Sequence, residues 1–240
     1  MRITIAHLYP ELLNLYSDRG NIIALKKRVE WRGIECEILE IESGQPVNFS
    51  DYDIVFLGGG SDREQEIVGE NLMKLKDGIK GYVDDSGVVI AICGGYQLLG
   101  NYYQMGGSRV EGLGILNIST EINDKRMIGN VAIQTNFLDH PVVGFENHGG
   151  ATKINEHTPL GKVIFGFGNN GEDCCEGVRF MNVFGTYLHG PLLPKNPHFC
   201  DYILQCAIAR KDPSFELSPL DDQLEWEANG FILKNRGTLV

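Results

Sequence analysis

The feature that most limits the fold is Val88-Val-Ile-Ala-Ile92, an unbroken apolar run that follows Gly87 and ends at Cys93-Gly94-Gly95. A strand with no polar face must be covered on both sides, as a central strand of a parallel sheet is. The residues before it agree. Arg2 to His7 alternates polar and apolar as a strand does, and Glu35 to Ile41 reads as a second strand. Between them, Asn21 to Arg32 carries an apolar stripe (Ile22, Leu25, Val29) opposite a charged face, the pattern of an amphipathic helix, and Gly33 stops it. Asp53 to Leu57 is a short apolar strand running into Gly58-Gly59-Gly60, and Arg63 to Val83 reads as one long helix. This alternation predicts an α/β fold, doubly wound, with a mostly parallel central sheet.

The second half changes character. Ile115 to Ile118, Val131 to Phe137, Val163 to Phe167 and Gly177 to Phe184 read as short strands, expected as antiparallel additions to the sheet. Residues 165–175 read as a turn or loop and Pro197 to Arg210 as a closing helix. No linker divides the chain. Residues 1–210 are expected to form one domain, with 211–240 a C-terminal extension that belongs to it or serves as a partner interface or tail.

Charge and composition exclude several functions. The net charge of −11 argues against a nucleic-acid partner. The run Lys26-Lys27-Arg28 reads as the solvated face of a helix. No stretch approaches the roughly 18 apolar residues of a membrane span, so no membrane insertion is expected. The N-terminus lacks a signal-peptide core, which predicts a cytoplasmic protein. None of the six cysteines forms a Cys-x-x-Cys pair and no histidine lies at zinc-finger spacing, so no metal is expected. Five of the six cysteines suit a reading as buried small hydrophobes. Cys93 differs because of its neighbours.

An apolar strand ending at a cysteine, with a helix starting just after it, describes a sharp strand-to-helix turn that exposes the side chain at the carboxyl end of a sheet. Such a turn crowds the residues two before and two after the nucleophile, and here they are the small Ala91 and Gly95. It also aims the backbone N–H of Gly94 at the reaction centre. Gly58-Gly59-Gly60 ends an apolar strand one βα unit earlier, so its N–H groups would lie beside the turn. One donor from each loop would make an oxyanion hole. The loop lacks the Gly-Lys-Ser/Thr of a P-loop, so nucleotide binding is the weaker reading of it and no cofactor is expected. A cysteine nucleophile needs a base. Among six histidines, His189 ends the apolar segment Val183 to Leu188 before a Gly-Pro turn, a sheet-end position suited to reaching a neighbouring site. His148, in Glu146-Asn147-His148-Gly149-Gly150, is the competitor; His140, His157 and His198 read as structural.

Ala91-Ile-Cys93-Gly-Gly-Tyr-Gln97, with its Cys-x-Gly-x-Gln pattern, resembles the elbow of class I glutamine amidotransferases. Gly185-Thr-Tyr-Leu-His189-Gly-Pro191 resembles the histidine segment of their cobyric-acid-synthase-like branch. The stretches 16–21, 57–60, 125–130 and 144–149 extend the similarity, most closely to the separate glutaminase subunits of lipid II isoglutaminyl synthases. The resemblance implies a flavodoxin-like fold in which Cys93 attacks the side-chain amide of L-glutamine and His189 protonates the departing ammonia. It implies that Gly94 and the loop of Gly59 and Gly60 hold the oxyanion, that Gln97 lines the glutamine pocket, and that Arg126 binds the α-carboxylate. Without the resemblance, Arg126 in Asp124-Lys125-Arg126 reads as a surface residue. The implied partner is a MurT-like, ATP-dependent Mur-ligase-type subunit that uses the ammonia to amidate D-glutamate of membrane-bound lipid II. Many class I enzymes carry an acid two residues after the histidine, where this chain has Pro191. A third group is then absent or arrives from elsewhere, with Asp18 and Glu146 the candidates. A cobalamin-pathway amidotransferase subunit, a cysteine hydrolase or peptidase, and a non-catalytic binding subunit remain as other readings of the same elbow.

Overall fold

The structure, a computed structural model, describes residues 1–15, 18–105 and 108–236; Tyr16 and Ser17 of the 16–21 stretch, and residues 237–240 of the C-terminal segment, lie outside the described residues. The first half runs β1 (Arg2–Leu8), α1 (Arg19–Glu30), β2 (Glu35–Ile41), β3 (Ile54–Leu57), α2 (Asp62–Leu72), α3 (Lys76–Asp84), β4 (Val88–Ile92) and the short α4 (Gly94–Leu98). The second runs β5 (Tyr102–Met105), β6 (Ser108–Glu111), β7 (Ser119–Gln134), β8 (Val142–Lys153), β9 (Gly161–Phe165), β10 (Cys175–Glu176), β11 (Val178–Phe180), β12 (Val183–Thr186), α5 (Pro197–Ala209) and α6 (Gln223–Lys234).

The central sheet has the order β11-β12-β4-β3-β1-β2, parallel except for β11. Every residue of β3 and β4 is buried, which explains their apolar runs. From β1 the chain crosses one way to β2, and from β3 the other way to β4. Right-handed crossovers then place α1 and the α2–α3 segment on opposite faces, as double winding requires. Gly33, at φ +70, ends α1 as expected.

Three expectations change. The single helix over 63–83 is divided, because a 3-10 turn at Met73–Leu75 separates α2 from α3. Among the described residues only β11 is an antiparallel addition to the central sheet. β12 joins the central sheet in parallel, and β5 to β10 form a second sheet in the order β10-β9-β7-β5-β6, with β8 paired to β7. Ile115 to Ile118 precedes β7 rather than forming a strand, and the segment 177–184 is divided between β11 and β12.

Two local readings also change. Arg28 is not on a solvated face: it is buried and paired with Asp201 and Asp222 at 2.6 Å each, while Lys26 and Lys27 face Glu30. Of the five cysteines besides Cys93, Cys200 is buried, Cys174 is exposed and the rest are half-buried. The described part of the C-terminal extension folds back on the domain. Asp222 meets Arg28, Asn229 bonds the Asn196 side chain at 3.0 Å, and Trp226 stacks on His198. Among the described residues no helix is long and apolar enough to cross a membrane.

Candidate active site

Cys93 leaves β4 with φ +50 and ψ −105, a backbone conformation that L residues rarely adopt. Its N–H donates to Thr186 O (2.8 Å), which fastens the turn to β12, and the Gly95 N–H donates to Gly58 O (3.1 Å), which fastens it to the β3 loop. A Cβ on Gly95 would lie 2.8 Å from Gly58 O and from Leu57 Cβ, so only glycine fits there. The helix that follows is a single short turn of five residues. The local potential therefore owes more to individual N–H groups, Gly94 first, than to a long helix dipole.

His189 stands three residues beyond the end of β12, not at the end of the strand. It is held by an antiparallel bridge to Phe145 of β8, with His189 N–H to Phe145 O at 2.7 Å. The Lys195 ammonium donates to the carbonyls of Gly190 and His189, closing the turn from outside; burial lowers that amine to about 8. Below, the buried Glu176 accepts from Thr186 Oγ1 (2.9 Å) and the Tyr187 N–H (2.7 Å), and burial pushes its carboxyl up to about 8.

An acid reaches His189 from the start of α1. Asp18 occupies the N-cap position but makes no capping bond. Instead its fully buried carboxylate accepts the Gly59 N–H (2.7 Å) through Oδ2 and turns Oδ1 toward His189 Nδ1 at 3.9 Å. Pro191 packs against Gly20, and this contact holds the histidine turn against α1. Glu146, the other sequence candidate, accepts the Phe167 and Gly168 N–H groups and faces His148 at 3.7 Å. One position reports the convergence. A Cβ on Gly59 would lie 3.3 Å from Asp18 Oδ2, 3.3 Å from Cys93 Cβ and 3.4 Å from His189 Cε1. Burial depresses the His189 pKa, but Cys93 and Asp18 outweigh it and carry it up to about 10, so His189 is an imidazolium at neutral pH.

A cleft of about 720 Å³ opens over Cys93 and is lined also by Gly60, Gln65, Gln97, Arg126 and His148. Gly60 of the glycine loop faces it, whereas the Gly59 N–H is occupied by Asp18. Gln97 is fixed by a bond from Nε2 to Tyr187 Oη (3.0 Å), and Tyr187 in turn pairs with Thr152 Oγ1 (2.6 Å). His148 stacks on Tyr187 with centroids 3.7 Å apart, and its Nδ1 meets Gly150 O at 2.8 Å. It is thus part of the pocket wall, apart from the Asp18–His189–Cys93 line. Arg126 projects from an irregularity in β7, exposed at the cleft, with Nε on Asn147 Oδ1 at 2.6 Å. Sequence reasoning missed Gln65 and Tyr187. Among the described residues, no group of acidic, cysteine and histidine side chains has the arrangement of a metal site.

The family profile described as a CobB/CobQ-like glutamine amidotransferase domain matches residues 4–197. A relative in Staphylococcus aureus strain N315, the GatD subunit of a glutamine-hydrolysing lipid II isoglutaminyl synthase, is 44% identical over 96% of this chain and 95% of its own length. The GatD subunit of Streptococcus pneumoniae R6 is 40% identical over 94% of this chain and 88% of its own. A probable cobyric acid synthase of Methanococcus vannielii is 32% identical, but over 59% of this chain and 31% of its own length. A crystal structure of a glutamine amidotransferase, 16% identical, shares the fold with a TM-score of 0.59, covering 85% of this chain and 98% of its own.

Proposed function

The chain belongs to the CobB/CobQ-like glutamine amidotransferases, and from that membership we propose that it is the glutaminase subunit of a lipid II isoglutaminyl synthase. The observation that carries the chemistry is the meeting of Cys93, His189 and Asp18 around Gly59 at the foot of the cleft. The Cys93 thiolate attacks the side-chain amide carbon of L-glutamine. The oxyanion is held by the N–H groups of Gly94 and Gly60, since the Gly59 N–H is taken by Asp18. His189 gives its proton to the nitrogen as the C–N bond breaks, and ammonia leaves a thioester on Cys93. Water, deprotonated by His189, then releases glutamate and returns Cys93 and His189 to the start of the cycle. Asp18 orients the ring and stabilises its charge, the role for which Pro191 left no acid at the usual place. With its Nε held by Asn147, Arg126 turns its two terminal nitrogens to the α-carboxylate, and Gln97 bounds the pocket.

The ammonia passes to a MurT-like, ATP-dependent Mur-ligase-type partner that amidates D-glutamate of lipid II to D-isoglutamine. The coverage of the two GatD relatives from end to end supports this acceptor over a corrinoid one, because the cobyric acid synthase similarity takes in only a third of that longer protein. Residues 1–210 are the amidotransferase domain in this reading, and 211–240 an extension of it. The protein works in the cytoplasm without a cofactor of its own. The test is glutamate formation by the purified chain with and without its partner, lipid II and ATP. Slow hydrolysis alone, faster hydrolysis with the partner and amidated lipid II are expected. Amidation of a corrinoid carboxylate instead would overturn the acceptor, and full glutaminase activity of the isolated chain would overturn the dependence on a partner.

A further inference from the structure

Gln65, on the second turn of α2, is a buried side chain that the chemistry above leaves unused. It lines the cleft beside Gly60, Cys93 and Gln97. Its carboxamide lies flat on the elbow: a Cβ on Gly94 would fall 2.6 Å from Gln65 Cδ and 2.7 Å from Nε2. The orientation of the amide is determined, because Nε2 donates to Gly60 O at 3.0 Å and the flipped amide would set two carbonyl oxygens against each other. Oε1 is consequently a buried acceptor with no hydrogen-bond partner among the described residues. Buried acceptors are nearly always satisfied, and one left unmade beside a reactive cysteine and two oxyanion donors points to a ligand group that completes it.

The ligand group must be a donor and must lie next to the carbon that Cys93 attacks. A primary carboxamide supplies one: its oxygen goes to Gly94 and Gly60, and its NH₂, in the same plane and on the same carbon, stands beside that oxygen with a hydrogen to offer Oε1. A carboxylate has no hydrogen to offer and would set a negative oxygen against Oε1. From this we infer that Gln65 is a specificity-determining residue, whose Oε1 accepts a hydrogen bond from the substrate's side-chain NH₂ and so separates glutamine from its product glutamate. This rests on the glutaminase reading. Glutamine and glutamate share their α-carboxylate and α-ammonium groups, so the ratio of their affinities isolates the contact at the reacting end.

The test uses the full chain carrying Cys93→Ala to stop turnover, with L-glutamine and L-glutamate titrated by calorimetry. Against that background, Gln65→Met removes the acceptor, and the preference for glutamine over glutamate is expected to fall about tenfold or more, the usual effect of removing a buried hydrogen-bond partner. Gln65→Glu loses the donor to Gly60 O but keeps acceptor oxygens, and it is expected to retain or increase the preference. A residue that merely braces Gly60 loses that brace in both variants, and the two would behave alike. Equal weakening of both ligands in both variants, or an unchanged ratio in Gln65→Met, overturns the inference. If Gln65→Met does not fold, as judged by its thermal transition, a glutamine preference reduced in Gln65→Glu overturns it alone. Failure of the Cys93→Ala chain to bind either amino acid would instead strike at the glutaminase reading.

Discussion

Asp18→Asn is the perturbation that separates a working triad from a cysteine–histidine pair with a carboxylate nearby. The replacement keeps the shape of the side chain and an oxygen for the Gly59 N–H, now 2.7 Å from Oδ2. It removes a charge 3.9 Å from His189 Nδ1 in a site where both side chains are fully buried. At that separation, two unit charges interact by about 4 kcal/mol at an effective dielectric of about 20. Divided by about 1.4 kcal/mol per unit, this bounds the drop in the His189 pKa at about three units. The variant's NH₂ would also face Nδ1 and favour the tautomer with the proton on Nε2, which is unable to take a proton from Cys93. Steady-state glutamate release should therefore fall by about 100-fold or more in kcat with little change in KM. Stability at neutral pH should fall by no more than about 4 kcal/mol, because the lost charge interaction is partly offset by the easier burial of the amide and the Gly59 bond survives. His189 ring resonances followed against pH give the second readout. A kcat within threefold of the parent, with an unmoved His189 titration, would refute the assignment of Asp18.

Other consequences are independent of that result. Gly95→Ala drives a methyl to 2.8 Å from Gly58 O and Leu57 Cβ; urea unfolding should show a loss of about 1–3 kcal/mol, with cysteine reactivity lost as the elbow shifts. Arg126→Ala should raise KM for glutamine about tenfold or more while kcat changes little, with Arg126→Lys intermediate, in the same assay. His189 has a folded pKa raised above its unfolded value of 6.5 to about 10. The stability it contributes is thus fully present below pH 6.5 and is lost as pH rises toward 10. Unfolding free energies measured from pH 6 to 10 should decline in the parent and flatten in His189→Gln, and a parent curve with no decline specific to His189 would contradict the assigned charge state.

What the sequence disclosed was what is local in it. The elbow is written in eight consecutive residues, since the apolar strand Val88–Ile92, the small neighbours Ala91 and Gly95 and the turn all lie within five positions of Cys93. His189 was legible for a similar reason, as the polar end of an apolar segment. Asp18 remained one of two candidates because its approach to His189 depends on Pro191 packing against Gly20 and on the Gly59 loop, contacts between segments far apart in the chain. Arg28 was misread because its acid partners stand 173 and 194 residues away. The second sheet was obscured because β8 carries Gly144, Asn147, His148, Gly149 and Gly150, which break any alternation of apolar residues, although their register against β7 is what builds the cleft wall. Gln65 gave no signal at all, a polar residue in a polar helix whose burial follows only from the proximity of Gly60 and Gly94.

The central claim is that Cys93 is a glutamine-directed nucleophile, and the most direct measurement is its reaction with the glutamine analogue 6-diazo-5-oxo-norleucine, read by mass spectrometry of the folded chain together with its partner. The account predicts one adduct on Cys93, suppressed by excess L-glutamine and absent in Cys93→Ala. A folded, partnered chain that acquires no adduct, or acquires one that glutamine does not suppress, would contradict it.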